Sequence, residues 1–406
     1  MTAKLKLPVF LFGLALAGVV WATASVGNVQ EDLFIYRAGA TLPLRGLSPY
    51  DVEALRADVA GQYPGSPQLI ANCGFFLTPH AVAVFTPFAV LPWDAARIAW
   101  TSLSFAVLVA GLWWLPVPAG RAWWGPVLAV VALADPLLPM VSSLGQTTTL
   151  MAGVLLLGYA AIVRGWKVTG ALAWSVLFMK PHIALPLVPL AFALGGRRCG
   201  LALIAAVVAG NVLGLALSPD PLGLPLEYLR HVAGGHKLVN YNRVESNPQL
   251  TSWNNALLAG GGPLVELGIG ATLAGYAVVA VVGATRCRGV KPDPAWLLAV
   301  GVAAVPVCCQ VWAYELVLVV AVLPLVAARW PGTPWWQLAV LGGFWVLKSV
   351  PVETGNALAA AVGPGRVEQL VQAYRSFAAL GILGVVLTLP SQSVPASGAE
   401  SAAVPT

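Results

Sequence analysis

The sequence predicts an all-α protein, a polytopic transmembrane helical bundle, and three observations carry that prediction. The chain of 406 residues is 58% hydrophobic and only 9% charged, with a mean hydropathy of +0.81. Soluble domains average about 25% charged residues, so these charges are too few to cover a water-facing surface. The apolar residues fall in long uncharged runs, the pattern of membrane spans and not of a buried core. Trp is abundant, at 16, which suits anchoring at the membrane interface. The net charge of +6 is not gathered into a basic low-complexity arm, so nucleic acid is not an expected partner.

The spans follow in chain order. Lys4 and Lys6 precede an uncharged run, Leu7–Ala24. It is longer than the apolar stretch of a usual signal peptide and reads as an uncleaved first span. Further runs lie near Ile98–Val117, Trp123–Val141, Thr147–Val163, Val168–Met179, Ile183–Leu194, Cys199–Leu217, Pro263–Thr285, Ala295–Val311, Leu316–Ala328, Trp335–Leu347 and Phe377–Leu389. The expected total is about twelve. Val168–Met179 and Ile183–Leu194 are short, each rising only about 18 Å as helix, too little to cross alone. Separated by Lys180-Pro181-His182, they form either one long span or a broken hairpin of the kind that lines a cavity.

Charge orients the chain in an inner (plasma) membrane. With the N-terminus in the cytoplasm, the inner side collects Lys4, Lys6, Arg121, Arg164, Lys167, Arg197, Arg198, Arg286, Arg288, Lys291 and Arg329, joined among the acids only by Asp293 and Glu400. Basic short loops on the cytoplasmic side are what the positive-inside rule asks. This arrangement needs Lys180 outside with Arg164 and Arg198 inside, which favours the hairpin. Residues 1–390 thus form a single transmembrane domain, with outer loops at about 25–72 and 218–255. Residues 391–406, rich in Ser, Ala and Pro, read as a disordered tail. Cys73, Cys199, Cys287, Cys308 and Cys309 make no CxxC motif, so they read as small packing residues and not as disulfide or zinc partners.

Most polar side chains lie in the two outer loops. In the first, Asp32 and Tyr36 share a helical face at i, i+4. Ser48-Pro49-Tyr50-Asp51 is a turn, with Asp51 placed to cap a helix over Val52–Ala60. A carboxylate just outside the first span fits either a general base held at the membrane surface or an ordinary solvated acid. Asp135 precedes Pro136 and is placed to cap a broken helix.

Seven short motifs, in order, resemble glycosyltransferase family 87. They are Asp32 with Tyr36, Ser48-Pro49-Tyr50-Asp51, Phe85-Thr86-Pro87-Phe88 with Leu91-Pro92, Leu144-Gly145-Gln146, Met179-Lys180-Pro181, Asn247-Pro248-Gln249-Leu250, and Trp312-Ala313-Tyr314. The resemblance runs from about Ser25 to Pro324. It implies a GT-C fold, with short amphipathic helices in the outer-face loop after the first span. It also implies a polyprenyl-phosphate sugar donor, mannose in the best-known case, used on the outer face. The chain departs from the family pattern at Leu77-Thr78-Pro79-His80, at Gly145-Gln146-Thr147 and in the insert Gln62–Pro67.

The resemblance implies roles. Asp32 sits where GT-C enzymes carry their catalytic aspartate, with Glu31 and Asp51 as rivals for the base. For the donor phosphate the residues themselves offer Lys180 and His182, at the outer tip of the hairpin, and His80, since a cation at membrane depth usually has a functional partner. Against this, Lys180 can snorkel to the interface and the histidines can be structural. Sugar or acceptor binding falls to Tyr36, Tyr50, Asp51, Gln146, Asn247 and Gln249, and to Trp312, Tyr314 and Glu315 at the outer end of a span. The amides can equally be helix caps, and Glu315 an interfacial acid. Arg230, His231, His236, Lys237 and Arg243 make the second outer loop basic, either for lipid phosphate or for solvation.

The reading is a membrane hexosyltransferase that inverts at the anomeric carbon. It moves a hexose, mannose by resemblance, to a lipid or glycan acceptor of the cell envelope. No Asp-x-Asp pair occurs, so no divalent metal or other cofactor is expected. The rival classes are a transporter or flippase for lipid-linked or small solutes, which broken helices and embedded acids also suit, and a non-catalytic subunit of an envelope assembly.

Overall fold

The computed structural model describes residue 18 and residues 30–62, 73–117, 124–238, 250–259, 269–289, 291–309, 311–329, 333–363 and 365–389. The expected first span, the tail, and Asn247 and Gln249 lie outside them. So do the side chains of Trp312 and Tyr314, whose backbone is described.

The described chain is helical, as the sequence predicts; two two-residue strands pair antiparallel. The first helices are α1 (Glu31–Leu44), α2 (Val52–Gln62) and α3 (Pro79–Ala89). Then come α4 (Trp93–Trp113), α5 (Trp124–Leu133), α6 (Leu137–Leu144) and α7 (Thr148–Val163). The hub is α7, buried along nearly its whole length. It packs against α4, against α8 (Lys167–Ser175) and against a 3-10 helix, Ala313–Val322.

The hairpin around Lys180 is present. From α8 the chain tightens into a 3-10 turn, Val176–Met179, and breaks at Lys180. It restarts as α9 (Pro181–Ala184) and α10 (Leu187–Ala216), which packs back on α8. Pro181 causes the break: it lacks an N–H and disfavours helical backbone at the residue before it. The runs Ile183–Leu194 and Cys199–Leu217 meet in α10, where Gly196 (φ 72, ψ −171) interrupts the helix with a backbone conformation that L side chains rarely adopt.

Later elements are α11 (Leu224–Leu238), β1 (Leu250–Thr251), α12 (Trp253–Ala259), α13 (Ile269–Arg286), α14 (Pro294–Ala303) and α15 (Val305–Cys308). Strand β2 (Val311–Trp312) pairs with β1 and leads into the 3-10 helix. The chain closes with α16 (Leu323–Arg329), α17 (Trp335–Lys348), α18 (Val352–Val362), α19 (Arg366–Gln372) and α20 (Tyr374–Thr388).

Among the described helices, α4 and α10 are each long and apolar enough to cross a membrane. The pair Gly125–Leu133 and Leu137–Leu144, bent by 57°, makes a third crossing if counted as one broken span. Six further apolar helices run 10–17 residues. The all-α class therefore stands, whereas the expected total of twelve goes beyond these two or three clear spans. The outward faces agree with a lipid surround: α10 presents Leu201, Ile204, Val208, Val212 and Leu213, and α13 presents Val278 and Val281. Side chains of this kind on an outer helix face are stable against hydrocarbon, not water.

At the bend between α5 and α6, Asp135 receives Lys348 from the end of α17 and the hydroxyl of Ser349 at 3.1 Å. Lys348 is fully buried and lies 4.3 Å from the centre of the Trp345 ring. Asp135 Oδ1 also accepts the Leu137 N–H at 3.0 Å, at the start of α6, whose N-cap position is held by Pro136.

Candidate active site

Four chain segments, far apart in sequence, bring Asp32, Gln146, Lys180 and Glu315 together. Asp32 lies in the first turn of α1, where the helix N-terminus favours a carboxylate. The residue before that helix, Gln30, has left-handed backbone (φ 53). Its amide donates to Thr101 Oγ1 and to the Ser142 carbonyl, both at 3.1 Å. That pins the start of α1 to α4 and α6.

Gln146 follows the Gly145 C-cap of α6. Gly145 has φ 68, and a Cβ there would come within 2.6 Å of Leu33 Cβ, so only glycine admits both the turn and the approach of α1. The Gln146 side chain thereby reaches Asp32: its Nε2 donates to Asp32 Oδ2 at 2.6 Å. Its Oε1 accepts from Tyr36 OH at 2.9 Å and from Lys180 Nζ at 3.2 Å. The amide can face only one way, since Tyr36 and Lys180 donate while Asp32 accepts.

Lys180 stands at the tip of the hairpin, almost fully buried, and Nζ donates to Glu315 Oε1 at 2.8 Å. The turn before it is tied to the residue that precedes α3. The Thr78 N–H donates to the Met179 carbonyl at 3.1 Å, and the Thr78 hydroxyl to that of Phe178 at 3.0 Å. Glu315 is buried in the first turn of the 3-10 helix. His182 Nε2 lies 4.0 Å from Glu315 Oε1, its ring partly exposed. Its backbone carbonyl accepts from Tyr276 OH at 3.0 Å.

Electrostatics follow from this enclosure. Asp32 keeps some contact with solvent but is set deep among protein atoms. Burial raises its pKa to about 6, against the Gln146 hydrogen bond and the Lys180 charge, which both lower it. Burial and the neighbouring Asp32 push the Tyr36 phenol well above its ordinary value, so it stays protonated and donates to Gln146. A carboxylate titrating near 6 is poised to take a proton at neutral pH.

Other expected site residues fall elsewhere. Asp51 is exposed, and its Oδ1 accepts the N–H groups of Glu53 at 3.1 Å and Ala54 at 3.0 Å, the cap that the sequence predicts. Glu31 is exposed. Tyr50 donates to the Leu77 carbonyl at 2.9 Å and packs with Phe75, Tyr228 and His231. The Ser48 hydroxyl reaches Glu227 at 2.5 Å, which ties the Ser-Pro-Tyr-Asp turn to α11. His80 is buried, with its ring against Gly210 of α10. Gln30 and Thr78 are positioning residues that sequence reasoning missed. A lone Gln before a helix carries no signal, and Thr78 shows only as one position of a motif that departs from the family.

The sequence profile of glycosyltransferase family 87 matches residues 75–310. The chain belongs to this family. No curated protein matches it. As a member of family 87, the protein is a membrane glycosyltransferase that takes a sugar donor and an acceptor. The transporter class is not favoured by this membership. The matched span holds Gln146 and Lys180; Glu315 lies just past its end, and Asp32 lies well before its start.

Proposed function

We propose that the protein transfers a hexose, mannose first among the candidates, from a polyprenyl-phosphate sugar to a lipid or glycan acceptor on the outer face of the inner membrane, with inversion. The observation that carries this reading is the single Gln146 side chain joining a carboxylate, Asp32, to a buried cation, Lys180. Transfer from a lipid phosphate needs a base for the acceptor hydroxyl and a positive charge for the leaving phosphate, held in fixed relation.

In this reading Asp32 removes the proton from the acceptor hydroxyl. The acceptor oxygen forms a bond to the anomeric carbon as the bond from that carbon to the phosphate oxygen breaks. The lipid phosphate leaves with the electron pair, and Lys180 neutralises it with help from His182. Displacement on the face opposite the phosphate inverts the anomeric centre. Lys180 supplies the cation, so the step is written without a metal or other cofactor. Tyr36 and Gln146 orient Asp32, and the remaining Gln146 N–H is available to a sugar hydroxyl. Charge-derived topology supports the outward orientation, since the four cluster residues fall at outer ends of spans.

Transfer by purified protein from radiolabelled polyprenyl-phosphate mannose, glucose and arabinose tests the proposal. Mannose transfer is expected. Turnover of none of the three, by protein that is folded and supplied with envelope lipid acceptors, would overturn it.

A further inference from the structure

Resting on the proposed donor, we infer that Glu315 occupies the place of the donor phosphate on Lys180 and sets donor affinity by competing for it. Three observations carry this. First, Lys180 Nζ is closed by Glu315 Oε1 at 2.8 Å, in a contact where both side chains are buried. A phosphate oxygen makes the same charge-assisted hydrogen bond at the same distance.

Second, charge opposes simple addition. Asp32 and Glu315 are two carboxylates gathered at the Lys180 ammonium, Glu315 directly and Asp32 through Gln146. A sugar phosphodiester adds a further negative charge, and in a buried site unpaired like charges are strongly unfavourable. A phosphate on Lys180 is therefore favoured when Glu315 has moved off it.

Third, Glu315 is mounted on an element suited to movement. Ala313–Val322 is a 3-10 helix of 10 residues, whereas runs longer than about 4 are uncommon because their hydrogen-bond geometry is poorer than that of an α-helix. Rewinding such a stretch as α-helix shortens it by about 5 Å, from the difference in rise per residue. That is enough to draw Glu315 off Lys180 and also away from His182, whose Nε2 lies 4.0 Å from Glu315 Oε1. Strand β2 precedes this helix and pairs with β1 at the end of the second outer loop. Release of Glu315 therefore couples to that loop. Glu315 is in this sense a positioning residue that acts through Lys180.

The test is equilibrium binding of farnesyl phosphate, a short polyprenyl phosphate, to purified wild type, Glu315→Gln, Glu315→Asp and Lys180→Ala. Farnesol and inorganic phosphate serve as the uncharged and lipid-free probes. Glu315→Gln keeps the shape and removes the competing charge, so farnesyl phosphate should bind about tenfold tighter or more. Farnesol affinity should not change, and Glu315→Asp, which keeps the charge, should stay near wild type. A purely structural Glu315 predicts equal or weaker farnesyl phosphate binding in Glu315→Gln, and that result overturns the inference. Should Glu315→Gln prove unfolded, Glu315→Asp decides: farnesyl phosphate binding weakened in parallel with farnesol overturns the inference. If wild type does not bind farnesyl phosphate and Lys180→Ala is indistinguishable from it, the lipid-phosphate reading itself fails. Tighter binding of inorganic phosphate alone would assign the site to free phosphate and overturn the lipid form.

Discussion

Gln146 Nε2 donates to Asp32 Oδ2 across 2.6 Å, while Oε1 of the same amide accepts from Lys180. One neutral side chain thus holds an acid and a base at a fixed separation and leaves neither free to swing. A hydrogen bond to a charged group contributes about 1.5–3 kcal/mol, enough to keep this geometry before substrate arrives.

Asp32→Asn should fold and bind donor yet lose about 10²–10⁴-fold in transfer rate, the usual effect of removing a general base. Glu31→Gln and Asp51→Asn, which alter exposed residues, should keep near wild-type turnover. Radiolabel transfer under saturating donor measures this. Full activity in Asp32→Asn would place the base elsewhere.

The Asp32 base must be ionised to work, and burial raises its pKa to about 6. Transfer should therefore be level above that pH and fall as pH drops through about 6. Gln146 lowers the Asp32 pKa by its hydrogen bond, so Gln146→Leu should move the acid limb of the rate profile upward. An acid limb left in place by Gln146→Leu would separate Gln146 from the titrating group.

Lys180→Ala should raise the donor KM and lower kcat. Lys180→Arg should retain part of both because the charge survives, though the guanidinium does not reproduce the ammonium geometry. Donor kinetics unchanged in Lys180→Ala would return Lys180 to a snorkelling role.

Lys348 and Asp135 form a buried ion pair away from the candidate site. Lys348→Met leaves the Asp135 charge uncompensated and should cost about 3–5 kcal/mol of stability. Adding Asp135→Asn should recover much of that loss. Thermal unfolding of the three variants in detergent measures it; additive losses would show that the two residues do not act as a pair.

Cysteines introduced into 25–72 and 218–255 should react with an impermeant reagent from the outer side of the membrane. Reaction from the cytoplasmic side alone would reverse the orientation and move the candidate site inside.

The membrane class and the helical fold were legible because they depend on composition and on runs of like residues, which every local window repeats. The break at Lys180 was legible for a similar reason: Pro181 acts on its own neighbours. So was the Asp51 cap, which needs only the next three residues. The number of spans is less legible, because an apolar run reads alike whether it crosses the membrane straight, crosses it as a broken helix or packs inside a bundle.

By itself, then, the sequence determined a family 87 membrane protein, the helices and the residue types of the site. Which of those residues meet was decided by tertiary structure alone. Asp32, Gln146, Lys180 and Glu315 are separated by 114, 34 and 135 positions. No local periodicity encodes such a meeting. It comes from α7 packed as a hub and from the Gly145 turn admitting Leu33. The same packing turned Tyr50 and His80 to other partners, since a side chain's neighbours are set by which helices lie against it and not by the motif that contains it.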